Sequence, residues 1–243
     1  MKFGTKSKAK NVKNISNKPT HFYDKKKLLL ELVTLAFIII MFGTAFYVYP
    51  MLPPKIPTHW DASGQANGFS GRNGVFFIPI IFVIISILLF ILPLMEVFRK
   101  NMLEIYRYYY AFKVFFGLFF TVLFISSILP NFGYNINVSY IVIWMMSFMF
   151  IGLGMILPKI KRNFMFGIRT GWTLSSDKVW DKTHKLGGIL FALFGIINIL
   201  LLFVLKLEVL FFVFLGSIAS ISIFLVFYSY YLYNKYKIVR DNK

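Results

Sequence analysis

Cysteine is absent from the 243 residues, which removes disulfide frameworks, thiol nucleophiles and Cys-based zinc sites together. Acidic residues are scarce: nine Asp and Glu stand against 27 Lys and Arg, giving a formal charge of +18. Charged residues of both signs make up only 15% of the chain, and hydrophobic residues 58%. A soluble globular chain sits nearer about half apolar and a quarter charged. No cleavable leader is expected, because the apolar run from Leu28 is too long for a signal-peptide core and no small-x-small site follows it. HExxH pairs, Ser/Lys dyads and paired intramembrane aspartates are also missing, which places a membrane enzyme last among the candidate functions. No cofactor is implied.

What is present lies in long apolar blocks, over residues 28–49, 75–98, 108–129, 138–157, 186–205 and 209–233. A hydrocarbon core about 30 Å thick needs roughly 20 apolar residues in a helix, and each block is of that order. The blocks are apolar on every face, as a lipid-facing helix should be, and about twice too long for barrel strands. The expected fold is therefore all-α, a polytopic membrane bundle of about six transmembrane helices. The short Lys206-Leu207-Glu208 link makes spans five and six a helical hairpin.

Charge placement sets the orientation. The N-terminal tail, the loops after spans two and four and the C-terminal tail together carry 23 Lys and Arg. The other side has Lys55, Arg72 and Lys206, while Lys113 lies inside span three. The prediction is a cell-membrane protein with both termini cytoplasmic. The same placement excludes nucleic acid as a partner and makes the bilayer the first one. Residues 1–27 read as a disordered, basic cytoplasmic tail, residues 28–130 as a three-span region with an outer loop at 50–74, and residues 131–243 as a second three-span region with an inner loop at 158–185.

Both loops exceed what a connector needs. The outer one has four prolines at its entry, which favour extended backbone, and Gly64, Gly68, Gly71 and Gly74, which permit turns of positive φ. Between them lie Pro57, His59, Trp60 and Asp61. Trp60 suits the headgroup level. His59 with Asp61 is too small a set for a metal but offers a polar ligand site, and a structured interfacial loop is the competing reading. In the inner loop, Ser175 or Ser176 can cap a short helix with Asp177 in its first turn. Asp177, Asp181 and His184 then share one face. An interfacial helix anchored by Trp180 is one reading, and a weak two-carboxylate, one-histidine metal or proton site the other. Arg169 offers a fork of donors, and Trp172 is placed to stack on it or to mark the interface. Within the spans, Asn198 is the main polar group at depth, and Gly152 and Gly154 allow close helix approach.

The run from Asn163 through Gly167, Arg169, Trp172, Thr173, Trp180 and His184 to Gly188 closely resembles the signature of the SdpI family of bacterial and archaeal membrane proteins. The segment from Leu52 to Gly68, with Pro57, His59, Trp60, Asp61 and Gly64, resembles a membrane domain of unknown function that often precedes that signature. Two positions depart from the pattern. Gly171 stands where relatives usually carry proline, so a looser turn is expected, and Asn67 stands where an acidic residue is common. The resemblance implies toxin immunity and signal transduction: binding of a secreted peptide toxin at the outer face, with an inner loop that stabilises the bundle or engages a cytoplasmic regulator. A small-solute or peptide transporter or channel is the alternative. Oligomeric state is left open.

Overall fold

The computed structural model describes residues 25–95, 97 and 99–241. Seven helices occur among them: α1 (Lys25–Val48), α2 (Phe77–Ile91), α3 (Arg99–Ile128), α4 (Val138–Ile156), α5 (Gly171–Ser175), α6 (Asp177–Leu201) and α7 (Leu207–Asp241). All but the five-residue α5 belong to segments long and apolar enough to cross a membrane, six in number. The all-α multi-pass architecture is therefore as expected. One small sheet is added, an antiparallel hairpin of β1 (Lys55–Trp60) and β2 (Ala66–Gly71) within the loop between α1 and α2.

The first four membrane helices end in the same way. Each runs into a 3-10 turn whose second residue is proline: Tyr49–Met51 with Pro50, Leu92–Leu94 with Pro93, Leu129–Phe132 with Pro130, and Leu157–Lys159 with Pro158. Proline has no N–H to continue the α ladder and its ring crowds the carbonyl one turn back, so the helix tightens and stops. α4 starts at an Asn137 cap, whose side chain accepts from the Tyr140 N–H, and α6 at a Ser176 cap, whose side chain accepts from Val179.

Helices α1, α2 and α3 pack together, α4, α6 and α7 pack together, and α3 against α4 joins the two groups. Met41, Ala45, Phe82 and Phe124 fill the first group and run into the hairpin at Ile56. In the second, Phe150 meets Phe194 edge-on, with centroids 4.9 Å apart, and Phe214 closes the cluster. A third cluster, of Ile105, Tyr109, Leu157, Ile160 and Trp180, seals the end where α3 and α6 begin. In lipid, helices associate through tight packing and interhelical polar contacts rather than through the hydrophobic effect. The α4–α6 seam follows that rule: a Cβ on Gly154 would lie 2.6 Å from the Gly188 carbonyl oxygen. Gly152, expected to do the same, faces open space.

Three sequence expectations need correction. The tail was expected to be disordered to residue 27, but Lys25–Lys27 already belong to α1; the expectation for residues 1–24 lies outside the described residues. The short helix capped by Ser176 is not separate from span five, because nothing after the cap breaks the ladder before Leu201. The charge count leaves Lys113 as a cation inside span three with no partner, and the structure supplies one. The Lys113 Nζ reaches both carboxylate oxygens of Glu31, at 2.7 and 2.6 Å, and ties α3 to α1. The Tyr110 hydroxyl donates to the Leu30 carbonyl beside it, at 2.5 Å.

Candidate functional site

Two structured segments lie at opposite ends of α4. At its start sits the hairpin. Asp61 shapes the tip: its Oδ1 accepts from the Ser63 hydroxyl (2.6 Å), the Ser63 N–H (2.9 Å) and the Gln65 N–H (3.0 Å). The Ser63 hydroxyl, followed by the backbone donors of Gln65, Ser63 and Gly64, holds the Asp61 carboxyl below the ordinary carboxylate range. Gly64 closes the turn at φ 86°, and of the four loop glycines it alone has positive φ. A Cβ there would also lie 2.1 Å from Oδ1 of Asn137.

That contact is part of a clamp. Asn137, while capping α4, donates through Nδ2 to the Ser63 carbonyl at 2.9 Å, and Ser139 donates to the Asp61 carbonyl at 2.8 Å. The hairpin tip is thus hydrogen-bonded to the first turn of a helix some 75 residues away in sequence, as the separations of 74 and 78 residues show. Sequence reasoning missed Asn137 and Ser139, although an Asn directly before an apolar run is a cap signal.

His59 is exposed on β1, and its Nδ1 lies 2.5 Å from the Asn67 carboxamide oxygen, so that nitrogen carries the hydrogen. Asn67 therefore orients the imidazole. Irregularities in the ladder on either side of His59 turn the strand there. Pro57 pairs with Phe69 across the hairpin. Trp60 is half-buried over a cavity of about 30 Å³ shared with Ile56, Pro57, Val75 and Ile128. That volume takes about one water, and the exposed groups of this face are His59, Phe69 and Lys55, the last lying over the Phe69 ring at 5.2 Å.

At the other end of α4, residues 160–176 fold onto α6. Asn163 is fully buried and saturated: Oδ1 accepts from the N–H groups of Met165 (2.9 Å) and Phe166 (2.6 Å), while Nδ2 donates to the carbonyls of Lys161 (2.8 Å) and Phe166 (3.0 Å). His184 is buried, stacked on Trp180 with centroids 4.0 Å apart. Its Nε2 accepts the Ile168 N–H at 2.9 Å and its Nδ1 donates to the Trp180 carbonyl at 2.8 Å. These partners assign the neutral, Nδ1-protonated ring. Gly167, at φ 120°, passes so close that a Cβ would lie 2.4 Å from Nε2. Trp180 Nε1 donates to the Ile160 carbonyl at 2.8 Å.

Thr170 and Thr173 form a reciprocal cap on α5, and the Thr170 hydroxyl meets that of Ser229 on α7 at 3.0 Å. Gly171 is the first residue of that helix, a position proline also favours; the turn is closed by the cap, not loosened. Arg169 is exposed and donates to the Phe164 carbonyl. Trp172 packs at a tilt against Tyr230, with ring centroids 5.0 Å apart.

Asp177, Asp181 and His184 do not assemble into a site. Both His184 nitrogens are occupied, and Asp177 pairs with Arg162 Nε at 2.8 Å. Among the described residues no group of three His, Asp or Glu side chains is arranged to hold a metal ion. Asp177 and Asp181 instead line a polar hollow of about 500 Å³ with Asn101, Glu104, Lys161 and Arg162. Arg162 is its hub, bonded also to the Leu174 carbonyl at 2.8 Å and, through its own carbonyl, to Asn101 at 2.6 Å.

Residues 159–229 match the SdpI/YfhL protein family. The chain carries an SdpI-family segment. It includes the buried Asn163–His184 cage and most of α6 and α7. Residues 36–83 match a domain of unknown function, DUF1648, which covers the hairpin, the second half of α1 and the start of α2. The curated relative Immunity protein SdpI of Bacillus subtilis (strain 168) is 25% identical over 166 residues, or 68% of this chain and 77% of the relative. No solved structure matches. The chain is thus a multi-pass membrane protein with a segment that matches the SdpI/YfhL family.

Proposed function

We propose that this SdpI-type chain is a non-catalytic immunity protein that meets a secreted antimicrobial peptide at the hairpin face and communicates with a regulator at the Arg162 hollow. The similarity to an immunity protein suggests the class. The observation that carries the mechanism is the clamp of Asn137 and Ser139 on the hairpin tip. A loop held by a membrane helix presents His59 and Trp60 in a fixed arrangement, which lowers the ordering cost of binding. It also gives a bound peptide a mechanical route into α4 and, from there, to the cage at its far end. The Lys and Arg asymmetry orients the hairpin outward, with both termini and the hollow cytoplasmic.

Expression in a peptide-sensitive host, challenged with a panel of secreted peptides, tests this reading. Protection should appear, His59→Ala should reduce it together with peptide binding, and Asp181→Ala, in the hollow, should reduce it with binding retained. Unchanged sensitivity, together with no binding by the purified protein, would refute it. A transporter is the second reading, favoured by the Glu31–Lys113 pair, because ionisable groups within spans mark many ion pathways. Saturable solute flux in proteoliposomes would replace the first reading with this one.

A further inference from the structure

Where the two three-helix groups join, α3 and α4 leave an open cleft of about 240 Å³ between them. Ala111, Phe112 and Phe115 of α3 line it with Met149, Gly152 and Ile156 of α4, and none of its lining side chains is polar. A Cβ at Gly152 would meet no atom within 4 Å, so the chain itself leaves this space unfilled. Tyr108 shares the α3 face of Ala111, Phe112 and Phe115 and stands one turn before them. Lys159 ends the 3-10 turn that follows α4, just beyond Ile156. The two meet at one mouth of the cleft. Lys159 Nζ lies over the Tyr108 ring, 5.5 Å from its centroid. The Arg107 guanidinium lies over the same ring at 4.6 Å and also donates to the Tyr108 hydroxyl. Both cations are exposed, and among the described residues neither pairs with a carboxylate. Glu104, one turn before Tyr108, lines the polar hollow beside Lys161 and Arg162 instead.

We infer that this cleft is the seat of one anionic phospholipid, its phosphate held by Arg107 and Lys159 and an acyl chain lying along Gly152. One aromatic face attracts a cation, but a second like charge beside the first is repelled until an anion joins them. The guanidinium fork matches phosphate oxygens in pairs, and the lysine adds a point charge. Basic pockets between membrane helices take acidic headgroups in this way. A zwitterionic headgroup brings its own ammonium and gains less from the two cations. A free phosphate satisfies them but leaves the apolar space below without an occupant. The lipid touches both three-helix groups at once, because α3 and α4 are the helices that join them. Lys178 makes the contrast: it lies over the Tyr236 ring at 4.0 Å, yet neither residue borders this cleft.

The full chain in phosphatidylcholine bilayers, titrated with phosphatidylglycerol spin-labelled on its acyl chain, tests the site through the fraction of label that is motionally restricted. The parent chain should prefer this lipid to labelled phosphatidylcholine. Arg107→Gln and Lys159→Gln should each reduce that preference about fivefold. Gly152→Leu fits the open space and should also weaken binding, by displacing the acyl chain, while Lys178→Gln should leave it unchanged. Equal restriction of the two lipids by the parent chain would overturn the inference. Full binding by Gly152→Leu would do so too, because the two cations would then be holding a phosphate without its chain. A loss from Lys178→Gln equal to that from Lys159→Gln would overturn it as well, since general surface charge would then account for the preference.

Discussion

Replacing Glu31 by leucine removes the partner of a lysine that is almost sealed from water. The side chain of Lys113 is 2% exposed and that of Glu31 is 17% exposed. Truncating one member of a buried pair typically costs about 3–5 kcal/mol, most of it the penalty for the charge left behind. The two single variants should therefore differ. Glu31→Leu strands an ammonium halfway along α3 and should lie at the upper end, about 4–5 kcal/mol. Lys113→Leu leaves a carboxylate that is partly exposed and only one turn from Lys27, so its cost should fall to about 1–3 kcal/mol. The double variant replaces the pair with apolar packing and should return to within about 1–2 kcal/mol of the parent. Unfolding in mixed detergent micelles, read as a double-mutant cycle, measures all three. Equal losses for the two single variants, or additive losses in the double, would show that the pair does not govern the α1–α3 contact.

Three further outcomes are expected. Gly64→Ala forces a side chain into positive φ and against Asn137, and should destabilise the hairpin by about 2–4 kcal/mol, seen as faster proteolysis of the loop. His184→Ala leaves the Ile168 N–H unpaired in a buried turn and should lower stability by about 1–3 kcal/mol, with hydrogen exchange at Ile168 as the local readout. Because the folded Asp61 carboxyl titrates below its ordinary value, its contribution is complete above that value and is lost as pH falls through the folded one. Loop protection should therefore hold from neutral pH to mildly acid pH and fail only below the usual carboxylate range, and Asp61→Ala should remove that step.

The spans were legible because lipid tolerates little except unbroken apolar helices, so composition alone marks them. Their proline-ended termini were equally visible in the residues, as Pro50, Pro93, Pro130 and Pro158, but the repetition becomes meaningful only once each is seen to close a helix. The hairpin was harder, because Pro57 within β1 and the glycines of β2 hide any alternation. Helical spacing put Asp177, Asp181 and His184 on one face correctly, yet that says nothing about what covers the face. Ile168 and Arg162 fold over it and claim His184 and Asp177 separately. The Glu31–Lys113 pair joins residues 82 apart, a distance no local pattern spans.

Because Asn137 both starts α4 and grips Ser63, the extramembrane hairpin is not an interchangeable cassette. Grafting the loop of a relative onto this bundle would leave α4 without a matching collar, and transplanting the second half alone would leave the donor loop unseated. Chimeras that respect the join should exchange residues 52–71 and 137–140 as one unit.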